Sequence, residues 1–192
     1  MQQHSNPCVT TSVVCSTLNF LLLLFLVGTA HGQLAIGQDL PKADQLAAVY
    51  NAEVGVREAT GQNDGLRIEE YLAATGLPAG YSWCASFVSW CFIQAGLPAL
   101  RSAWAPAWFP ARKTIYTRTS TRELPVVQRG DVFGIYYPRQ NRIAHVGFID
   151  GQQEGFFITV EGNTNANGSR NGDGVYRKRR SVRTIYKISR WL

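Results

Sequence analysis

Apolar positions in this chain recur first at helical spacing and then in alternation. Residues 43–54 (ADQLAAVYNAEV) follow the helical period and stop at Gly55, and residues 66–74 form a second short helix closed by Gly76 and Pro78. The third predicted helix starts at Trp83, with Ser82 as its N-cap, and runs to about Ala95, where Gly96 and Pro98 stop it. Cys84, Phe87, Val88, Cys91 and Ala95 fall on its i, i+3, i+4, i+7 positions and mark a buried face. Residues 59–65 (ATGQNDG) are turn chemistry, and the prolines in residues 102–110 (SAWAPAWFP) predict a loop carrying Trp104 and Trp108. From Gly130 the period becomes two, and strands are predicted over residues 132–137, 144–149, 156–161, 174–179 and 184–188. Helices first and an antiparallel meander second predict one α+β domain.

The amino-terminal pattern belongs to neither half. Residues 13–30 are mostly apolar, densest over 20–27, and Gly28, Ala30 and Gly32 follow as small residues. That run is too short for a retained span, and the small residues suit cleavage after Ala30 or Gly32, although residues 1–30 hold no Lys or Arg. The expected organisation is a signal peptide at residues 1–32, a short leader at 33–42 and the folded domain at 43–192, in a secreted or periplasmic protein with no stable membrane anchor after cleavage.

Composition changes this picture little: 45% hydrophobic and 17% charged residues suit one ordinary folded domain within 192 residues. The net charge of +6 favours anionic partners, namely nucleic acid, a membrane surface or a wall polymer. Export argues against nucleic acid among these.

Export also sharpens the cysteine count. With the leading segment gone, the domain keeps Cys84, Cys91 and a single histidine, His145. Seven residues along one helix separate the two Cα atoms by roughly 10 Å, beyond the ~7 Å that a disulfide tolerates. Both thiols are therefore expected to be free. Cys84 stands in the first turn, where unpaired N–H groups and the helix dipole favour a thiolate, whereas Cys91 lies two turns deeper as a core residue. A cysteine nucleophile requires a base and a group that orients it. His145 is the available base, and Glu161 and Asn163 at the end of the next strand are candidates to orient it. Pairing the two strands around a loop at residues 151–155 sets His145 opposite Glu161, Val146 opposite Val160 and Phe148 opposite Ile158.

Four motifs in order, YSWCASFV at residues 81–88, GDV at 130–132, HVG at 145–147 and EGN at 161–163, resemble the CHAP domain of the NlpC/P60 peptidoglycan hydrolases. The resemblance implies a papain-like NlpC/P60 architecture, helices on an antiparallel meander. It implies Cys84 as nucleophile, His145 as base and Glu161, with Asn163 beside it, as the orienting group. Peptidoglycan is the implied substrate, cleaved at the glycan–stem amide or within the stem peptide. Some members carry an acidic calcium loop before the nucleophile; residues 72–83 contain no carboxylate here, so neither metal nor cofactor is expected. Asn63, Asp64, Trp83, Trp104 and Trp108 are candidate substrate contacts, and a monomer is expected. The basic run at residues 177–180, with Arg183, suits either an anionic wall or a solvated strand face. A general papain-like protease and a non-catalytic wall-binding module are the competing readings.

Overall fold

Three α-helices precede the sheet in the computed structural model, which describes residues 40–118, 123–167 and 172–192, all within one compact unit spanning Ala35–Leu192. The expected signal peptide and all but the last residues of the leader lie outside the described residues. The helices α1 (Lys42–Ala52), α2 (Leu66–Ala73) and α3 (Cys84–Gln94) fall where the apolar spacing places them. Every residue of α3 from Cys84 to Phe92 is buried, so this helix lies in the core on all sides and not on a single face.

Among the described residues the strands are β1 (Thr114–Thr117), β2 (Val132–Tyr137), β3 (Arg142–Gln153), β4 (Phe156–Thr164), β5 (Gly174–Ser181) and β6 (Lys187–Ser189). They form one antiparallel six-stranded sheet in the order β1-β6-β2-β3-β4-β5. Alternation along β3 and β4 divides the core. Val146, Phe148 and Val160 pack with Phe87 and Val88 of α3, while Phe133, Ile149 and Phe157 join a smaller cluster on the other face.

Four details depart from the sequence reading. Strand β1 was not expected at all. The last predicted strand, residues 184–188, is instead a 3-10 turn (Val182–Thr184) followed by the shorter β6. The Trp-rich loop contains a 3-10 turn at Ala105–Trp108, with Pro106 seated in its first turn, where a missing N–H costs nothing.

The fourth departure is the register of β3 with β4. Where a loop at residues 151–155 is expected, both strands run on to a tight turn that pairs Gln153 with Phe156, with Gly155 at φ +69°. The register then shifts between Ile149 and Gly151, leaving Asp150 as an unmatched residue of β3. The bulge is anchored: the Asp150 carboxylate accepts from Tyr50 Oη at 2.7 Å and from Arg177 Nη1 at 2.5 Å, and pairs with Arg129 Nε at 3.3 Å. Phe148 consequently faces Val160 and not Ile158. The shift is two residues, so every side chain keeps its expected face, but Gly147 and not His145 comes to lie across from Glu161.

Candidate active site

Cys84 is the first residue of α3, and Trp83 occupies the cap position with no side-chain capping bond. The expected cap at Ser82 is thus one residue out. An indole offers no acceptor to the first-turn N–H groups, which remain available for an anion at the thiol. Trp83 fixes this helix start from below: its side chain is wholly buried, its Nε1 donates to Glu58 Oε1 at 2.8 Å, and its ring packs against Tyr71 and Phe87.

His145 of β3 meets the thiol. Its Nε2 lies 2.8 Å from Glu161 Oε2, which leaves Nδ1 for the hydrogen bond with Cys84. Burial alone would raise the Cys84 thiol, but the neighbouring imidazole, helped by the Val146 and Ala85 N–H groups, brings it below its ordinary value. Burial likewise opposes a charged imidazole, yet the bonds to Cys84 and Glu161 push His145 from 6.5 up to about 9. Both directions favour a thiolate–imidazolium pair over a neutral thiol and imidazole. Cys91 behaves in the opposite way, since burial and then the Glu53 charge raise its thiol well above the ordinary value. Both cysteines are free.

Glu161 reaches the imidazole diagonally across Gly147. A Cβ built on Gly147 would sit 2.9 Å from Glu161 Cγ and 2.9 Å from the Val160 carbonyl oxygen, so the bare glycine is what leaves room for the carboxylate. Glu161 is fully buried, and its oxygens take part in four hydrogen bonds or ion-pair contacts, the one with His145 included. Besides His145, Thr159 Oγ1 donates to Oε1 at 2.5 Å, and Arg180 donates from Nε to Oε1 at 2.6 Å and from Nη2 to Oε2 at 2.5 Å. Burial would raise this carboxyl, but Arg180 first and His145 second outweigh it and hold it at about 2.

Arg180 is the residue that sequence reasoning missed, because it stands in a basic run with the outward look of a solvated face. Strand parity carried a signal. In the β4–β5 pairing Arg180 lies across from Phe157, on the face that also carries Thr159 and Glu161, and a carboxylate buried there requires a cation.

The other expected site residues separate into two groups. Asn163 adopts φ +51°, lines the cleft and donates from Nδ2 to Asn63 Oδ1 at 3.2 Å, so Asn63 supports the cleft wall through Asn163. Trp104 is 54% exposed and also lines the cleft. Trp83 and Trp108, by contrast, are wholly buried; Trp108 stacks on Phe92 and meets Trp191 edge-on, so both are core anchors and not substrate contacts. Asp64 accepts from the Thr60 N–H and hydroxyl at 2.9 and 2.7 Å and stabilises its own turn outside the cleft wall. Asp131 of the GDV motif is likewise structural: Arg190 donates two bonds to it, at 2.9 and 2.8 Å, and ties down the end of the chain.

The cleft above these groups has a volume of about 190 Å³ and is bounded by Cys84, His145, Trp104, Arg142, Asn163 and Arg180, among others. A free thiol at an uncapped helix start, a buried imidazole and a buried carboxylate together form the nucleophile–base–orienter arrangement used in acyl transfer.

Residues 76–163, somewhat under half of the chain, match the family model of the CHAP domain. The match includes Cys84, His145, Glu161 and Asn163 and stops short of Arg180. Among solved structures, the chain is similar to RipD of Mycobacterium tuberculosis, described as a non-catalytic NlpC/p60 domain protein adapted to peptidoglycan binding. That likeness has 14% identity and a TM-score of 0.46, covering 80% of this chain and 99% of that one. The P60 domain of an M. avium paratuberculosis antigen is similar at 13% identity and a TM-score of 0.46, over 79% of this chain and 93% of that one. No curated protein matches the sequence.

Proposed function

We propose that this protein is an exported cysteine hydrolase that cleaves an amide bond of peptidoglycan, either within the stem peptide or between glycan and stem. The observation that carries the proposal is the continuous chain from Cys84 through His145 to Glu161, of which Cys84 and His145 line one cleft and Glu161 lies buried behind them. The Cys84 thiolate attacks the amide carbon, and the C–N bond breaks as the His145 imidazolium gives its proton to the leaving nitrogen. The resulting thioester is opened by water, whose proton passes to His145 as the thiolate leaves. First-turn N–H groups of α3 stabilise the oxyanion in both steps, since no side chain caps them. Glu161 keeps the imidazolium charged and its ring aligned.

Residues 1–32 serve as the export signal in this reading, and the folded domain works outside the cytoplasm as a monomer. Digestion of purified peptidoglycan followed by mass spectrometry of the fragments tests the proposal and identifies the bond. New amino and carboxyl ends at a single type of amide are expected. Wall fragments that bind the protein but are never cut would overturn it and leave a binding module.

A further inference from the structure

The cleft has a wall that the chemistry of Cys84 does not use. Arg142, the first residue of β3, lines it, and its guanidinium carbon lies 4.5 Å from the centre of the exposed Trp104 ring. Stacking engages the flat face of a guanidinium and leaves its N–H edge for hydrogen bonds in the same plane. One donor on that edge, Nη1, is held by the Ile143 carbonyl at 3.2 Å, which limits rotation of the head group. Among the described residues Arg142 has no carboxylate partner, and none of the described residues lining the cleft is acidic. The nearby Arg180 differs, because its Nε and Nη2 are both committed to Glu161.

A stacked, half-buried cation with an open edge, beside a nucleophile and facing no acid, is a receptor for a planar anion. We propose that Arg142, clamped on Trp104, binds a carboxylate of the peptide substrate and so sets which amide reaches Cys84. This rests on the proposed cleavage of wall peptide. Stem peptides present two sources of that carboxylate, a chain terminus and a side group next to an amide. Either would be held by the bidentate geometry that a guanidinium edge provides and an ammonium does not.

The test measures binding to the Cys84→Ala protein, so that affinity is read without turnover. Three soluble stem peptides are compared: one with both carboxylates free, one with the terminal group as carboxamide, and one with the side group as carboxamide. Replacing the recognised carboxylate is expected to weaken binding about tenfold, the scale of one charge-assisted hydrogen-bond pair. The peptide that loses affinity identifies the source. In Arg142→Gln that gap closes, and in Arg142→Lys it narrows, because charge remains but the planar fork is lost. Equal affinity for all three peptides, absence of binding, or a gap that persists in Arg142→Gln overturns the inference. Failure of the hydrolase reading is separate: the wild-type protein would then bind the free peptide with the same discrimination and leave it intact.

Discussion

Glu161 bonds His145 from a position two residues out of register, across the bare backbone of Gly147. Continuing the pairing of Phe148 with Val160 places Gly147 opposite Glu161, and the carboxylate reaches sideways to Nε2 at 2.8 Å. The glycine of the HVG motif is therefore a spacing element. Gly147→Ala puts a methyl 2.9 Å from a side-chain carbon and from a backbone carbonyl that cannot retreat. A loss of about 1–3 kcal/mol in folding free energy is expected, the cost of overpacking, with turnover falling because Glu161 is displaced. Denaturant unfolding and steady-state kinetics on the one variant check both effects.

Glu161→Gln keeps the size of the side chain and removes its charge. His145 should then titrate below its present value of about 9, nearer the ordinary 6.5. In the proposed mechanism the imidazolium gives its proton to the leaving amine, so the basic limb of the pH–rate profile is expected to move to lower pH. Turnover at neutral pH falls about 10²-fold, the low end of a general acid–base contribution. An unmoved basic limb would exclude the carboxylate as the group that holds the imidazole charged.

Arg180→Leu leaves Glu161 buried without its bidentate partner. Removing one member of a buried ion pair costs about 3–5 kcal/mol, and Arg180→Lys should lose less because a point charge remains. A urea series on the two variants measures the difference. Equal stability of Arg180→Leu and wild type would show that His145 and Thr159 suffice to hold the carboxylate.

The faces of β3 and β4 were legible in the sequence, and the register was not. Alternation assigns His145 and Glu161 to one side and Val146, Phe148 and Val160 to the other, and any shift by an even number preserves that division. The actual register depends on the bulge at Asp150, which is held by Tyr50, Arg129 and Arg177 from distant parts of the chain. No local pattern announces those contacts. The same holds for Trp83 and Trp108: proximity in sequence to the nucleophile and its loop says nothing about which way an indole turns, and both turn inward. Arg180 became legible only once β5 was paired with β4, since an arginine within a basic run otherwise reads as solvated. Cys84 and Cys91 were distinguishable because helix position alone separates a first-turn thiol from a mid-helix one.

Stability should depend on pH in a way that exposes the ion pair. Glu161, lowered from 4.5 to about 2, contributes stability that is present above pH 4.5 and lost as pH falls towards 2. His145, raised from 6.5 to about 9, contributes stability that is complete below 6.5 and lost as pH rises through about 9. Cys84 runs the other way, because its lowered thiol contributes fully above the ordinary 9 and loses that contribution as pH falls through its depressed value. Between pH 6.5 and 9 the His145 and Cys84 contributions oppose each other, so the acid range isolates the carboxylate. Unfolding free energy of the wild type is therefore expected to fall as pH drops from 4.5 towards 2, and that acid loss to shrink in Glu161→Gln. Level curves for both proteins would argue against a charged pair in the folded state.

The central claim, that Cys84 attacks an amide carbon, is tested most directly by trapping the thioester. The protein is mixed with purified stem peptide, quenched in acid within the first turnovers, and its intact mass and peptide map are recorded. A covalent adduct equal in mass to the acyl fragment is expected, located on Cys84, absent from Cys84→Ala and unaffected by Cys91→Ser. An adduct on Cys91, or release of the same fragments by Cys84→Ala at the wild-type rate, would contradict it.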